Sequence, residues 1–93
     1  MVRRVARVDD NQAEIVKALE EAGALVTSLA AIGGGVADLL VLTPAKDLRL
    51  LEIKNPKRPP SRRRLTPFQV EWHKVWPVTV VTTVEGALEA IQG

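Results

Sequence analysis

The sequence predicts an α/β fold in which helices flank a mixed central sheet, with elements in the order α-β-β-β-α-β-α. Three observations predict this class. Two stretches towards the ends of the chain carry apolar residues at helical spacing, and a strong helix start lies between them. Two short apolar runs are separated by a turn-forming segment, as in a hairpin. A run of β-branched residues then separates the last two helices, which is typical of a strand.

Residues 10–22 form the first predicted helix, because apolar side chains recur there every three or four positions. Asp9 or Asp10 can cap this helix, and Asp9 with Gln12 has the spacing of a capping box. Gly23 can end it, since glycine readily adopts the left-handed conformation that follows many helices.

Three strands are predicted from short apolar runs that are bounded by turn residues. Residues 24–29 form the first, and residues 36–43 and 48–54 form a hairpin around the turn at 44–47. The glycine triplet at 33–35 lacks the Lys-Ser/Thr pair of a phosphate-binding loop. We interpret it as a flexible approach to the hairpin; the alternative is a backbone that lies close to a ligand.

Residues 55–65 are predicted as a surface loop, because three prolines prevent a regular strand ladder in this segment. Thr66 can then cap a second helix, with Pro67 at its first position and Gln69 closing a capping box. We expect this helix to run to about Val75.

A strand at 78–83 and a helix at 84–92 complete the pattern, which suits a single domain over residues 1–93. With 46% hydrophobic and 26% charged residues, the composition is that of a globular protein. The chain has no cysteine, which excludes a disulfide framework or a thiolate metal site and fits a reducing interior. No apolar stretch reaches the roughly 18 residues that cross a bilayer, and no apolar core follows the basic start. We therefore expect a cytoplasmic protein without a membrane partner.

The basic residues are concentrated, although the formal net charge is only +2. Their two clusters are Arg3, Arg4 and Arg7, and Lys54, Lys57, Arg58, Arg62, Arg63 and Arg64. A local cationic zone on a nearly neutral chain indicates a surface that faces a polyanion. The alternative is a solvated basic loop.

Glu52 and Lys54 share one face of an otherwise apolar strand, because side chains two positions apart point the same way. If the hairpin pairs Leu42 with Leu48, Asp38 lies directly opposite Glu52, with their side chains starting about 5 Å apart. Two carboxylates that close repel each other unless a cation lies between them. Their hard oxygen atoms suit Mg²⁺ or Mn²⁺.

Lys54 would lie beside this pair, where it could position or activate a water molecule or stabilise charge on a phosphate. Together with the Lewis acidity of a metal ion, the set fits phosphodiester hydrolysis. The spacing leaves a structural alternative open, in which Glu52 and Lys54 occupy an exposed strand face and Asp38 forms a salt bridge.

Three motifs follow one another along the chain: GVADLLV at 35–41, LEIK at 51–54 and LTPFQ at 65–69, the last followed by Trp72. Together they resemble the VRR-NUC family, a branch of the PD-(D/E)xK nuclease superfamily. No single motif is strong, but the ordered set extends over about residues 7–92. The chain departs from the family at Ala37, where proline is usual; a proline there shapes the backbone and binds no metal.

The resemblance implies a restriction-endonuclease-like core and a divalent-metal-dependent endodeoxyribonuclease that needs no organic cofactor. It implies that the metal ligands are Asp38, Glu52, the Ile53 carbonyl and Glu14, the last directly or through water. Lys54 would be the catalytic lysine. Gln69 would reach the site from the second helix, unless its side chain serves only the capping box.

Stand-alone members this short resemble phage-type Holliday junction resolvases, so we expect branched DNA as the substrate and a homodimer in the host cytoplasm. Two sites related by a two-fold axis can cut two strands symmetrically. The clustered basic residues would contact phosphates and recognise DNA shape rather than sequence. The alternatives are a nuclease of the same fold acting on flaps, nicked duplex or single strands, and a nucleic-acid-binding accessory protein that does not cleave.

An aromatic stripe on the second helix consists of Phe68, Trp72 and Trp76, spaced four residues apart. We interpret it as core or subunit contact; the alternative is stacking on unpaired bases. His73, the only histidine, is interpreted as a helix-surface residue.

Overall fold

The computed structural model describes residues 11–59 and 64–92, and its elements follow the predicted order. The helices are α1 (Gln12–Glu21), α2 (Pro67–Val75) and α3 (Val84–Ala90). The strands are β1 (Leu25–Ser28), β2 (Leu39–Leu42), β3 (Leu48–Ile53) and β4 (Val78–Val81). Within the described ranges, no helix is long and apolar enough to span a membrane.

The four strands form one mixed sheet in the order β1-β2-β3-β4. The pairs β1–β2 and β2–β3 are antiparallel, and β4 pairs with β3 in parallel. The predicted hairpin register is confirmed, because Leu42 lies opposite Leu48. The turn between them closes when the Thr43 amide donates to the Asp47 carbonyl at 2.8 Å.

The hydrophobic core lies between one face of the sheet and helices α1 and α3. Its fully buried members are Ile15, Leu19, Leu39, Val41, Leu51 and Ala87, with Ile53 almost as buried. Truncating a core leucine such as Leu51 to alanine costs about 2–5 kcal/mol. The strand that carries Glu52 is therefore anchored firmly from this side.

The opposite face of the sheet is also apolar but much more open. Leu25, Leu42 and Leu48 lie side by side across three strands. Leu25 and Leu48 are each 66% exposed. Leu48 and Glu52 are an even number of positions apart in β3, so they share this face. Val80, which pairs with Glu52, is also exposed here.

Helix α1 begins at Gln12 with Asn11 as its N-cap, so it is shorter than the predicted 10–22. The Asn11 side chain makes no capping hydrogen bond, and the predicted caps Asp9 and Asp10 lie outside the described residues. Gly23 ends the helix as expected, with a φ of 98°. The Ala24 amide donates to the Leu19 carbonyl at 3.0 Å, which completes a Schellman motif.

Helix α2 begins with the predicted capping box between Thr66 and Gln69. None of its residues is buried, so the aromatic stripe is not part of the core, and its interpretation as a subunit contact stays a prediction. Trp72 and Trp76 stack on each other with ring centroids 5.2 Å apart.

Strand β4 is shorter than predicted and stops at Val81. The predicted last residue of that strand, Thr83, is instead the N-cap of α3 and accepts a hydrogen bond from the Gly86 amide at 2.9 Å. A threonine can serve either as a β-branched strand residue or as a helix cap, and here the capping role prevails.

Candidate active site

Glu52 is a buried carboxylate near the C-terminal end of β3. Its strand neighbours Leu51 and Ile53 point into the core, so alternation directs Glu52 to the opposite face. Only 2% of Glu52 is exposed, even though other parts of this face are open. The alternative in which Glu52 lies on an exposed strand face is therefore wrong. A carboxylate that is buried this deeply needs a compensating partner.

Asp38 lies beside Glu52, one residue before β2 begins. Its Oδ2 atom accepts a hydrogen bond from the Ile53 amide at 2.7 Å. The β2–β3 ladder ends where Leu39 faces Leu51, so the Asp38 carboxylate takes the place of the next ladder bond. This bond ties Asp38 to the strand that carries Glu52.

Gln69 joins the carboxylate to the second helix. Its Nε2 atom donates to Glu52 Oε2 at 2.8 Å. Its Oε1 atom accepts from Lys54 Nζ at 3.2 Å and from the Thr66 amide at 2.9 Å. The side chain therefore closes the capping box and reaches the site at the same time, so the two roles expected for it do not compete.

Lys54 is fixed at both its ends. Its Nζ atom lies 3.5 Å from Glu52 Oε2, and only 12% of its side chain is exposed. Its backbone amide donates to the Val81 carbonyl at 3.0 Å, which continues the pairing of β3 with β4. An ammonium group held between Glu52 and Gln69 has little freedom to turn away from the site.

The electrostatic balance of the site favours protonation of Glu52. The pKa of Glu52 is raised to about 7, mainly by burial and next by the Asp38 carboxylate, while the Lys54 ammonium opposes both effects. One lysine thus does not fully compensate the two acids. A bound cation would lower this pKa and keep both carboxylates ionised near neutral pH.

The residues present fit a divalent cation. Glu52 Oε1 is buried and makes no hydrogen bond with any described residue. In an antiparallel pair a residue directs its amide and carbonyl to the same neighbouring strand. Because the Ile53 amide faces Asp38, the Ile53 carbonyl faces the same side. Two carboxylates and one carbonyl are the oxygen donors that Mg²⁺ and Mn²⁺ prefer.

Glu14 is not brought to this carboxylate pair. Within residues 11–59 and 64–92, no three His, Cys, Asp or Glu side chains come together as a metal site. Glu14 is exposed and lines a separate cavity of about 670 Å³, here called the Asn11 cavity, whose described lining lacks Asp38 and Glu52. The reason is helix register: Ile15 faces the core, and the preceding residue is rotated by about 100° from it.

Asn11, the N-cap of α1, contacts the backbone at the end of the strand that carries the site, and sequence reasoning missed this contact. Its Nδ2 atom donates to the Thr82 carbonyl at 3.0 Å and, more weakly, to the Lys54 carbonyl at 3.4 Å. It thereby ties the start of α1 to the ends of β3 and β4. The only sequence signal is that asparagine favours helix starts, which does not indicate a bridge between strands.

The basic loop after β3 is only partly described. Lys57 and Arg58 line the Asn11 cavity, and Arg64 is exposed. Buried Asn55 holds the start of this loop, because its Oδ1 atom accepts from the Lys57 amide at 2.9 Å. The other predicted phosphate contacts, Arg3, Arg4, Arg7, Arg62 and Arg63, lie outside the described residues.

His73 is a half-buried residue of α2, a helix that has no buried residue, so its interpretation as a helix-surface residue is not contradicted. Its Nε2 atom is buried and makes no hydrogen bond with any described residue. Burial lowers the pKa of His73, and the Lys54 ammonium lowers it further. The imidazole is therefore neutral near pH 7 and adds no positive charge to the site.

Comparison with solved structures agrees with this architecture. A structure described as a VRR_NUC domain matches the chain with a TM-score of 0.63 and 26% sequence identity. The match covers 84% of this chain and 86% of that chain. It confirms the restriction-endonuclease-like fold class with its mixed four-stranded sheet. No protein-family model and no curated protein matches the chain.

Proposed function

The chain belongs to the VRR-NUC family of nucleases, and from this premise we propose that Asp38, Glu52 and Lys54 form its active site. We further propose that it is an endonuclease that depends on Mg²⁺ or Mn²⁺ and prefers branched DNA, such as Holliday junctions. The single observation that carries the proposal is the buried Glu52 carboxylate beside half-buried Asp38, with the Lys54 ammonium 3.5 Å from Glu52 Oε2.

The metal would be held by Asp38, Glu52 and the Ile53 carbonyl. When bound, it would supply Lewis-acid polarisation of a phosphate and a more acidic water. Glu52 Oε1 supports this role, because a buried carboxylate oxygen without a hydrogen bond is costly unless a ligand compensates it.

Lys54 supplies positive charge in a place where water is largely excluded. An ammonium group there stabilises the negative charge that develops on a phosphate during cleavage, and it can orient the attacking water. Gln69 keeps Lys54 in place through Oε1 while its Nε2 holds Glu52. Such prior fixation reduces the reorganisation that the reaction would otherwise require.

The DNA backbone would approach over the basic loop. Lys57, Arg58 and Arg64 supply positive charge to either side of the segment 60–63, which contains two further arginines. We propose phosphate contacts for these residues, which position DNA without reading its sequence. Such contacts weaken as salt rises, because each one releases a condensed counterion from the DNA.

The substrate and the metal are tested together by cleavage of labelled DNA. The panel holds a four-way junction, a flap, a nicked duplex, a plain duplex and a single strand, each with Mg²⁺, Mn²⁺ or EDTA. We expect cleavage with either metal, fastest on branched DNA, and none in EDTA. Cleavage that persists in EDTA refutes the metal dependence. DNA binding without cleavage of any substrate identifies a non-cleaving accessory protein instead.

We also propose that the chain works as a homodimer. The open sheet face supports this, because Leu25 and Leu48 are largely exposed where small monomers usually bury such side chains. Val80 extends the apolar surface to the strand pair that carries Glu52. A second copy of the chain would cover these residues and place two active sites on one assembly.

The homodimer is tested by the mass in solution, measured by light scattering. We expect the mass of two chains for the natural sequence and of one chain for Leu48→Lys. The matched change Lys17→Ala lies on the exposed side of α1 and should leave the mass unchanged. A natural chain that is monomeric at the concentration at which it cleaves DNA contradicts the proposal.

A further inference from the structure

A second cavity, of about 440 Å³, opens directly beside the candidate active site. The glycine triplet at 33–35, Asp38, Thr66, Phe68 and Gln69 line it. We call it the glycine-turn cavity. Asp38 and Gln69 belong both to this cavity and to the active site. A group bound in the cavity therefore lies next to the bond that the active site would break.

The glycine triplet forms one wall of the cavity, and this wall has no side chains. Gly33 and Gly34 have positive φ angles of 70° and 67°, and a Cβ atom added to either would meet nothing within 4 Å. Gly35 has the opposite surroundings, since its Cβ would lie 2.5 Å from the Phe68 carbonyl oxygen. Gly35 therefore packs against the start of α2, whereas Gly33 and Gly34 face open space. A flat ligand can approach the backbone closely at these two residues.

Phe68 is the aromatic residue among those that line this cavity. It is the second residue of α2, and 73% of it is exposed. A large aromatic side chain that stays exposed to water contributes little to the stability of the fold. Its position beside a cavity gives the ring a planar apolar surface on which a ligand can stack.

The lining favours an uncharged aromatic ligand over a phosphate. None of the described residues that line the cavity is cationic, and Asp38 would repel a phosphate placed there. The Gln69 amide and the Thr66 hydroxyl are neutral polar groups beside an aromatic ring. A nucleobase has the matching chemistry, with two apolar faces for stacking and a polar edge for hydrogen bonds.

We propose that the glycine-turn cavity binds an unpaired nucleobase of the strand to be cut, stacked on Phe68 and next to the scissile phosphate. The inference rests on the proposed nuclease function and names its substrate class. A base inside an intact duplex is stacked and paired, and its extraction costs a few kcal/mol. The preferred DNA therefore has an unpaired nucleotide at the cut, as in a flap, an opened branch point or a single strand.

The experiment measures DNA binding in EDTA, where no metal-dependent cleavage occurs. Labelled oligonucleotides, one single-stranded and one a hairpin duplex, are titrated with the protein and followed by fluorescence anisotropy. We expect tighter binding of the single strand. Phe68→Ala should weaken single-strand binding about tenfold, because it removes the ring on which the base stacks, and should leave duplex binding unchanged.

Two further variants separate stacking from simple apolar contact. Phe68→Trp should keep the single-strand affinity, whereas Phe68→Leu should lose it, since leucine is apolar but cannot stack. The matched control is Val75→Ala, because Val75 is 79% exposed on the same helix but does not line the cavity. This variant should bind both oligonucleotides like the natural chain.

Three results would overturn the inference: an unchanged single-strand affinity in Phe68→Ala, an equal loss for both oligonucleotides, or a halved molecular mass. The last would place Phe68 in a subunit interface instead. Because binding is read without metal, the outcome is independent of cleavage. If the protein never cleaves DNA but its single-strand binding depends on Phe68, the base-binding site stands and only the proposed nuclease function is refuted.

Discussion

Gln69 Nε2 donates to Glu52 Oε2 at 2.8 Å, so one helix-capping side chain also holds the buried carboxylate of the site. Replacing Gln69 with alanine removes this donor and the acceptor for Lys54. We expect the free energy of unfolding to fall by about 1–3 kcal/mol, because the buried carboxylate loses a hydrogen bond. Cleavage should fall by more than tenfold. Gln92→Ala, at an exposed position, should change neither quantity; equal effects of the two variants would refute the role of Gln69.

Thr66 should affect cleavage through Gln69. Its Oγ1 atom accepts from the Gln69 amide at 3.1 Å, which holds the first turn of α2. Thr66→Ala should lower stability by about 1 kcal/mol and slow cleavage about tenfold, as a displaced side chain can. Thr66→Ser should restore both.

Thr83 provides the matched control, because it caps α3 in the same way but does not contact the site. Thr83→Ala should lower stability by a similar amount and leave the cleavage rate nearly unchanged. If both alanine variants slow cleavage equally, Thr66 acts only through overall stability.

Glu52 should make the metal-free protein less stable as pH rises. Its pKa is raised from 4.5 to about 7 in the folded state, so the folded chain keeps a proton that the unfolded chain releases in this window. The contribution of Glu52 to stability is therefore fully present below about pH 4.5 and is lost as pH rises to about 7. In EDTA we expect the free energy of unfolding to fall by roughly 3 kcal/mol more in the natural chain than in Glu52→Gln.

Denaturant unfolding at pH 4.5, 6 and 7.5 measures this difference. Added Mg²⁺ or Mn²⁺ should reverse the loss at pH 7.5, since a cation stabilises the ionised carboxylates. Parallel curves for the natural chain and Glu52→Gln would show that Glu52 has an ordinary pKa.

Gly35 should tolerate substitution far less than its neighbour Gly34. Both have positive φ angles, which cost an alanine about 1–2 kcal/mol. Only the Gly35 Cβ would collide with the backbone of α2, at Phe68. In thermal unfolding, Gly35→Ala should therefore lower the midpoint clearly more than Gly34→Ala. Similar losses would mean that the turn does not pack against α2 as described.

Much of the fold could be predicted, because its signals are local. The capping box of Thr66 and Gln69 and the glycine end of α1 at Gly23 depend on neighbouring residues. The hairpin register follows from a short turn, and it brings Asp38 to the strand that carries Glu52. The alternation of side chains along β3 also correctly predicted that Glu52 faces away from the core, unlike its neighbours Leu51 and Ile53.

The parts that could not be predicted depend on contacts between distant segments. Asn11 lies 71 residues from Thr82, and no local pattern indicates that its amide bonds that carbonyl. Glu14 has the residue type of a metal ligand, but packing of Ile15 into the core turns it away from the carboxylates. The hydrogen bond from Gln69 to Glu52 likewise joins two segments that are 17 positions apart in the sequence.

The measurement that tests the central claim most directly is the single-turnover cleavage rate of Asp38→Asn and Lys54→Ala on a four-way junction and a flap, with Mg²⁺ and with Mn²⁺. Asparagine keeps an oxygen for the Ile53 amide and removes only the charge, and Lys17→Ala controls for the loss of a surface lysine. We predict a loss of about a hundredfold or more in both site variants, with unchanged thermal unfolding of Asp38→Asn in EDTA and normal cleavage by Lys17→Ala. Cleavage at the natural rate by both site variants would contradict the account.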